Sequence, residues 1–86
     1  MKKQKVYLVM HELRLMKNAS CHGRYVKGIY SSLKKAQSEL DEWFEFAEAQ
    51  NKKSIEREEM AVRYQSIDLN GNWWKHEYTI KIKEVK

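Results

Sequence analysis

Apolar and polar positions alternate with a period of two near the C-terminal end of the chain. Trp74, His76, Tyr78, Ile80 and Ile82 share one parity, and Trp73, Lys75, Glu77, Thr79, Lys81 and Lys83 share the other. That pattern predicts a strand with one face on a core and one face turned away from it. The preceding segment "MAVRYQSIDL" and the dipeptide Asn70-Gly71 complete a hairpin signal. Asn-Gly favours a two-residue type I′ turn, because both central positions need positive φ. Such a turn pairs Leu69 with Asn72 and Ile67 with Trp74. The incoming strand agrees with this near the turn but shifts phase by Tyr64 and Val62, and a β-bulge around Gln65 reconciles the two.

Residues 4 to 15, "QKVYLVMHELRL", predict a first strand that is apolar on both faces. Val6, Leu8 and Met10 lie on one side, with Tyr7, Val9 and Leu13 on the other. A strand of that kind is usually central and covered twice. Residues 16 to 23 are polar and turn-forming, and "RYVKGIY" at 24 to 30 predicts a second strand, giving a hairpin with a long basic loop. In "SSLKKAQSELDEWFEFAEAQN", Leu33, Ala36, Leu40, Trp43, Phe44 and Ala47 fall at three- and four-residue spacings. They predict an amphipathic helix capped by Ser31 or Ser32 and ended by Asn51, with Phe46 well off the apolar stripe, at its edge or exposed. "KKSIEREE" is a charged connection with room for another helical turn. The expected architecture is α+β: an antiparallel sheet of about four strands with one helix on one face, in the order ββαββ, as a single domain over residues 1–86. One helix covers one face. The second face needs a partner, and a core this small favours a homo-oligomer joined through the sheet face or an edge.

Composition adds direction. The chain carries 17 Lys and Arg against 12 Asp and Glu, a net charge of +5. Residues 1 to 30 are strongly basic, the helical third is net acidic and the last third is mildly basic, so the positive character belongs to the sheet and its first loop. A basic sheet suits nucleic acid, nucleotides or an acidic protein surface. The single cysteine, Cys21, rules out an internal disulfide and points to a reducing, cytoplasmic setting. The apolar run Val6 to Met10 is too short for a signal peptide or a membrane span.

Trp73, on the lysine-bearing parity, is the candidate binding aromatic. Stacking on such a side chain contributes about 1–3 kcal/mol per base, and tryptophan is enriched at protein interfaces. Arg14, Lys17, Arg24 and Lys27 around the first hairpin form a candidate anion site, joined by Lys75 and Tyr7 on the expected open face. No catalytic residue is assigned. Cys21-His22 is an adjacent pair without an oriented base, His76 falls on the core parity as a structural histidine, and the His and Cys spacings match no zinc pattern. No cofactor motif is present; the three glycines stand apart at 23, 28 and 71.

The stretches "VYLVMHE" and "VKGIYSSLKKAQSEL" resemble a family of small phage and bacterial domains. These open with a V-Y-x-V-x-H strand and carry G-I/V-Y-S-S-x-x-x-A at a strand-to-helix junction, here Gly28, Ile29, Tyr30, Ser31, Ser32 and Ala36. The resemblance covers about residues 5 to 40, brings no catalytic residues, and implies a phage or prophage setting. The expected function is therefore a non-catalytic binding protein that blocks a host defence or nucleic-acid-processing protein. The alternative is a binder of nucleotide or nucleic acid, including a sponge for a nucleotide signal, working through the basic and aromatic residues of the open face.

Overall fold

In the computed structural model, which describes residues 4–85, β1 (Gln4–Leu15) and β2 (Ser20–Tyr30) form the first hairpin. The loop is shorter than its polarity implied. Asn18 Oδ1 accepts from the Ser20 backbone N–H at 3.1 Å and from the Ser20 hydroxyl at 2.6 Å, and Ala19 takes φ 56°. These local bonds close the turn over residues 16–19 and start β2 four residues earlier than expected. The β1–β2 ladder slips twice, leaving Lys27 and His22 as extra residues on β2. Bulges of this kind are common on edge strands, where they disrupt the outer ladder.

The helix α1 (Leu33–Ala49) begins as its sequence requires: Ser32 is extended at φ −139° and its hydroxyl accepts from Lys35 N–H at 3.2 Å. It ends in a Schellman arrangement. Asn51 takes the left-handed conformation (φ 53°), with Asn51 N–H donating to Glu48 O and Lys52 N–H to Ala47 O. Ala36, Leu40 and Ala47 are fully buried against the sheet. At the strand-to-helix junction the Tyr30 hydroxyl donates to Glu39 at 2.5 Å, and a Cβ on Gly28 would collide with that pair. Gly28 therefore admits the close approach of α1 to β2.

The charged connection after the helix is a strand, not a helical turn. β3 (Lys53–Glu58) pairs with β4 (Ala61–Ile67), and β5 (Trp73–Val85) follows. The sheet has five antiparallel strands in the order β2-β1-β5-β4-β3, one more than expected, so the element order is ββαβββ. β3 is a short edge strand bearing Glu56, Arg57 and Glu58, with Ser54 at φ 52° breaking its ladder. Only Ile55 packs toward the core, which is why a hydrophobic pattern does not reveal it.

The second hairpin also differs. β4 and β5 pair without interruption from Ala61↔Thr79 to Ile67↔Trp73, so there is no bulge at Gln65. The turn is built differently from a two-residue type I′ loop. Gly71 N–H donates to Asp68 O, Asp68 N–H donates to Asn72 O, and Gly71 alone takes positive φ, at 83°. This is a type I turn followed by a left-handed glycine, the three-residue hairpin loop. Asp68 Oδ1 locks it by accepting from the backbone N–H groups of Asn70 and Asn72. The one-residue change in register removes the phase conflict, because Val62, Tyr64 and Ser66 now lie beside Tyr78, His76 and Trp74 on a single face.

Candidate functional site

The helix-covered face contains Val9, Val62, Tyr64, Tyr78 and Ile80 packed against Ala36, Leu40 and Ala47. Aromatic rings stack through it: Trp43 lies over Tyr78 at 4.5 Å, and Tyr78 over His11 at 4.3 Å. A polar seam runs beside them. Ser66 Oγ bonds His76 Nε2 at 2.9 Å, His76 Nδ1 meets His11 Nε2 at 3.1 Å, and the Tyr64 and Tyr78 hydroxyls meet at 3.2 Å. One proton between the two rings satisfies both; a second would set N–H against N–H. Burial lowers both histidines to about 4, with Lys27 adding to the shift of His11, and His11 and then Lys52 adding to that of His76. Both rings are neutral near pH 7, and His76 lies on the covered face, as its parity implied.

The molecule is 53 Å long, whereas a 17-residue helix spans about 25 Å. The helix therefore leaves the ends of its own face bare. Trp74 has the core parity but lies past the helix and is only half-buried. Its indole N–H donates to Asp68 Oδ2 at 2.8 Å, and its ring meets His22 edge-on at 4.9 Å.

The opposite face has no covering element, and the strand register arranges it in rows across the sheet. A row of charge spans all five strands: Arg24, Glu12, Glu77, Arg63 and Glu56 are successive partners. Glu12 and Glu77 are direct neighbours, a repulsive pairing. Arg14 and Arg24 hold Glu12, and Arg63 holds Glu77 while reaching Glu58 at 3.0 Å. On one side of this row lies a trough of about 420 Å³ lined by Leu8, Met10 and Val26, with Lys81 and Lys83 on its β5 side. Val26 and Ile29 are more than half exposed. Among the described residues neither lysine is in an ion pair.

On the other side of the row is Trp73, 39% exposed and opposite Ile67. β3 begins opposite Gln65, so the last residues of β4 have no outer neighbour. This step leaves Trp73 in a notch with Lys17 toward one side and Lys52 and Lys53 toward the other.

The sequence-derived candidates divide between the faces. Trp73, Arg14, Lys75 and Arg24 lie on the open face, and Lys17 sits in the adjoining turn. Tyr7 is on the covered face, packed against the core, because it alternates with Val6 and Leu8. Lys27 is also on the covered side, 5.8 Å from the Tyr25 ring centre and 6.0 Å from that of Trp43. The anion site of Arg14, Lys17, Arg24 and Lys27 is therefore not assembled: Glu12 neutralises the arginines and the sheet separates Lys27 from them. Cys21 is exposed, while His22 bonds Ser20 at 2.8 Å and packs on Trp74, so the two do not act together. Sequence reasoning misses Lys52 and Lys53, because they sit in the edge strand and its approach, which carry no hydrophobic pattern. Among the described residues no cluster of three or more His, Cys, Asp or Glu is placed to hold a metal ion, and no helix is long and apolar enough to cross a membrane. No family model, curated protein or solved structure matches the chain.

Proposed function

We propose that the protein is a non-catalytic binding module whose open sheet face receives a partner protein. The observation that carries this reading is the Leu8–Met10–Val26 trough, left uncovered between the ion-paired row and the lysines Lys81 and Lys83. A central apolar patch with a charged rim is the usual composition of a protein interface. The sheet edges support it by default. β3 is short, charged and interrupted at Ser54, and β2 is bulged twice, so neither offers a long regular ladder to an incoming strand. The likeness of the Gly28–Ala36 junction to phage domains makes a host protein the expected partner.

Affinity capture from host lysate, run with matched variants, tests this reading. A partner held by the wild type and by Glu45→Ala, whose site is on the outer helix face, should be lost with Val26→Glu. Retention by Val26→Glu would remove the trough from the interface. Light scattering of the purified chain distinguishes a foreign partner from a second copy on the same face.

A further inference from the structure

We propose that the Trp73 notch is a second and separate site, one that takes a nucleobase stacked on the indole with the adjoining phosphate held by lysines. Trp73 borders two cavities, of about 530 and 140 Å³, that share Gln65. The larger lies within the size range of small-ligand sites. Lys17 lines the first, Lys52 and Lys53 line the second, and neither contains an aspartate or glutamate. Lys17, Lys52 and Lys53 are in no ion pair among the described residues, in contrast to the arginines of the neighbouring row. Three unneutralised cations around one exposed aromatic is the arrangement by which single-stranded nucleic acid and nucleotides are bound without a base-specific code.

The carboxylate of the adjoining turn is withdrawn. Asp68 points to the covered side, where the Trp74 indole N–H first, and then the Asn72 backbone N–H, hold its carboxyl below the usual range. It stays ionised while its oxygens serve the hairpin rather than the notch. Gln65, shared by both cavities, has a side-chain amide without a partner among the described residues, leaving a donor and an acceptor for a base edge. The backbone accounts for the opening itself: because β3 starts opposite Gln65, no side chain of a fifth strand fills the space beside Ile67 and Trp73. The trough offers aliphatic side chains and belongs to a protein partner. The notch offers a ring and positive charge.

The test is titration calorimetry of the full chain at low salt, a readout that does not depend on Trp73, with quenching of tryptophan fluorescence as a second readout for the wild type. The probes are AMP, inorganic phosphate, a short single-stranded oligodeoxyadenylate and the duplex of the same length. AMP or the single strand should quench and saturate, and Trp73→Ala should weaken binding about tenfold or more, the effect of losing one stacked base. Lys53→Gln should reduce the salt slope for the single strand by about 0.7, as expected for one lost phosphate contact. Tighter binding of the strand than of AMP identifies a nucleic-acid chain as the source of the ligand, and equal binding identifies a free nucleotide. Absence of binding, competition by inorganic phosphate as strong as by AMP, or equal affinity for the duplex would each overturn the proposal. If Trp73→Ala does not fold, the double variant Lys52→Gln/Lys53→Gln carries the test with the indole in place. Val26→Glu should bind the probes as the wild type does, so that failure here and failure of the protein-docking site are told apart.

Discussion

The two faces of this sheet are built from the same five strands, yet they solve different problems. On the covered face, rings and aliphatic side chains interlock beneath α1, and the His11–His76 and Tyr64–Tyr78 pairs bond to one another, leaving His11 Nδ1 as a buried polar atom without a partner. On the open face, apolar side chains lie beside the charged row, packed only against their neighbours in the sheet and covered by no further element of the chain. The difference teaches where stability resides and where recognition can be placed. Substitutions on the covered face should cost folding free energy, and those on the open face should cost binding.

The sharpest contrast is Leu40→Ala against Val26→Ala. Leu40 is fully buried and Val26 is 52% exposed. Denaturant unfolding should show Leu40→Ala losing about 2–5 kcal/mol, with Val26→Ala within about 0.5 kcal/mol. Comparable losses at both sites would mean that the open face is packed in solution.

Acid comes next, because the covered face contains the two depressed histidines. Their folded values near 4 lie below the 6.5 of the unfolded chain, so the unfolded state binds more protons between those limits. The stabilisation they supply is complete above about pH 6.5 and is lost as pH falls toward 4 and below. Each such group contributes at most about 1.4 kcal/mol for each pH unit between the folded and unfolded values, and less after solvent screening, because both rings are only partly enclosed. Melting curves over that range should show the decline, with a shallower slope for His76→Gln. A flat profile would place both rings in contact with solvent.

The adjacent tryptophans bring the comparison down to neighbouring residues. Trp74→Ala should cost about 0.5–3 kcal/mol, the range of ordinary destabilising substitutions. That is less than a fully buried tryptophan would cost, because Trp74 lies past the reach of α1. Trp73→Ala should remain within about 1 kcal/mol. Equal melting of the two variants would show that Trp73 is covered as well. The smallest effect belongs to Glu45→Ala, expected within about 0.5 kcal/mol on the solvated side of the helix.

Much of this geometry is legible in the residues, and the exceptions have physical causes. β1, α1 and β5 announce themselves because each presents at least four apolar positions at the correct period, and the parity of Trp73 and Trp74 follows from β5 alone. β3 does not, since an edge strand with one apolar contact, Ile55, has the composition of a loop. The hairpin turn is ambiguous in the residues because Gly71 serves a three-residue loop as well as it serves a type I′ turn. Asp68, a favoured first residue of a type I turn, is the signal that separates them, and the phase conflict at Tyr64 is the consequence of choosing the shorter loop. Site placement depends on these details. A change of one residue in the register decides whether Trp73 or Trp74 lies opposite Ile67, and simple alternation over the three residues from Arg24 puts Lys27 on the opposite face of β2.

The most direct measurement of the central claim combines melting and partner capture for a single variant, Val26→Glu. A charge introduced at a half-exposed position on an uncovered face should leave the melting temperature close to that of the wild type, while capture of the partner protein is lost. A melting temperature lowered as far as that of Leu40→Ala, or a partner still captured, would contradict the assignment of the open face as the binding surface.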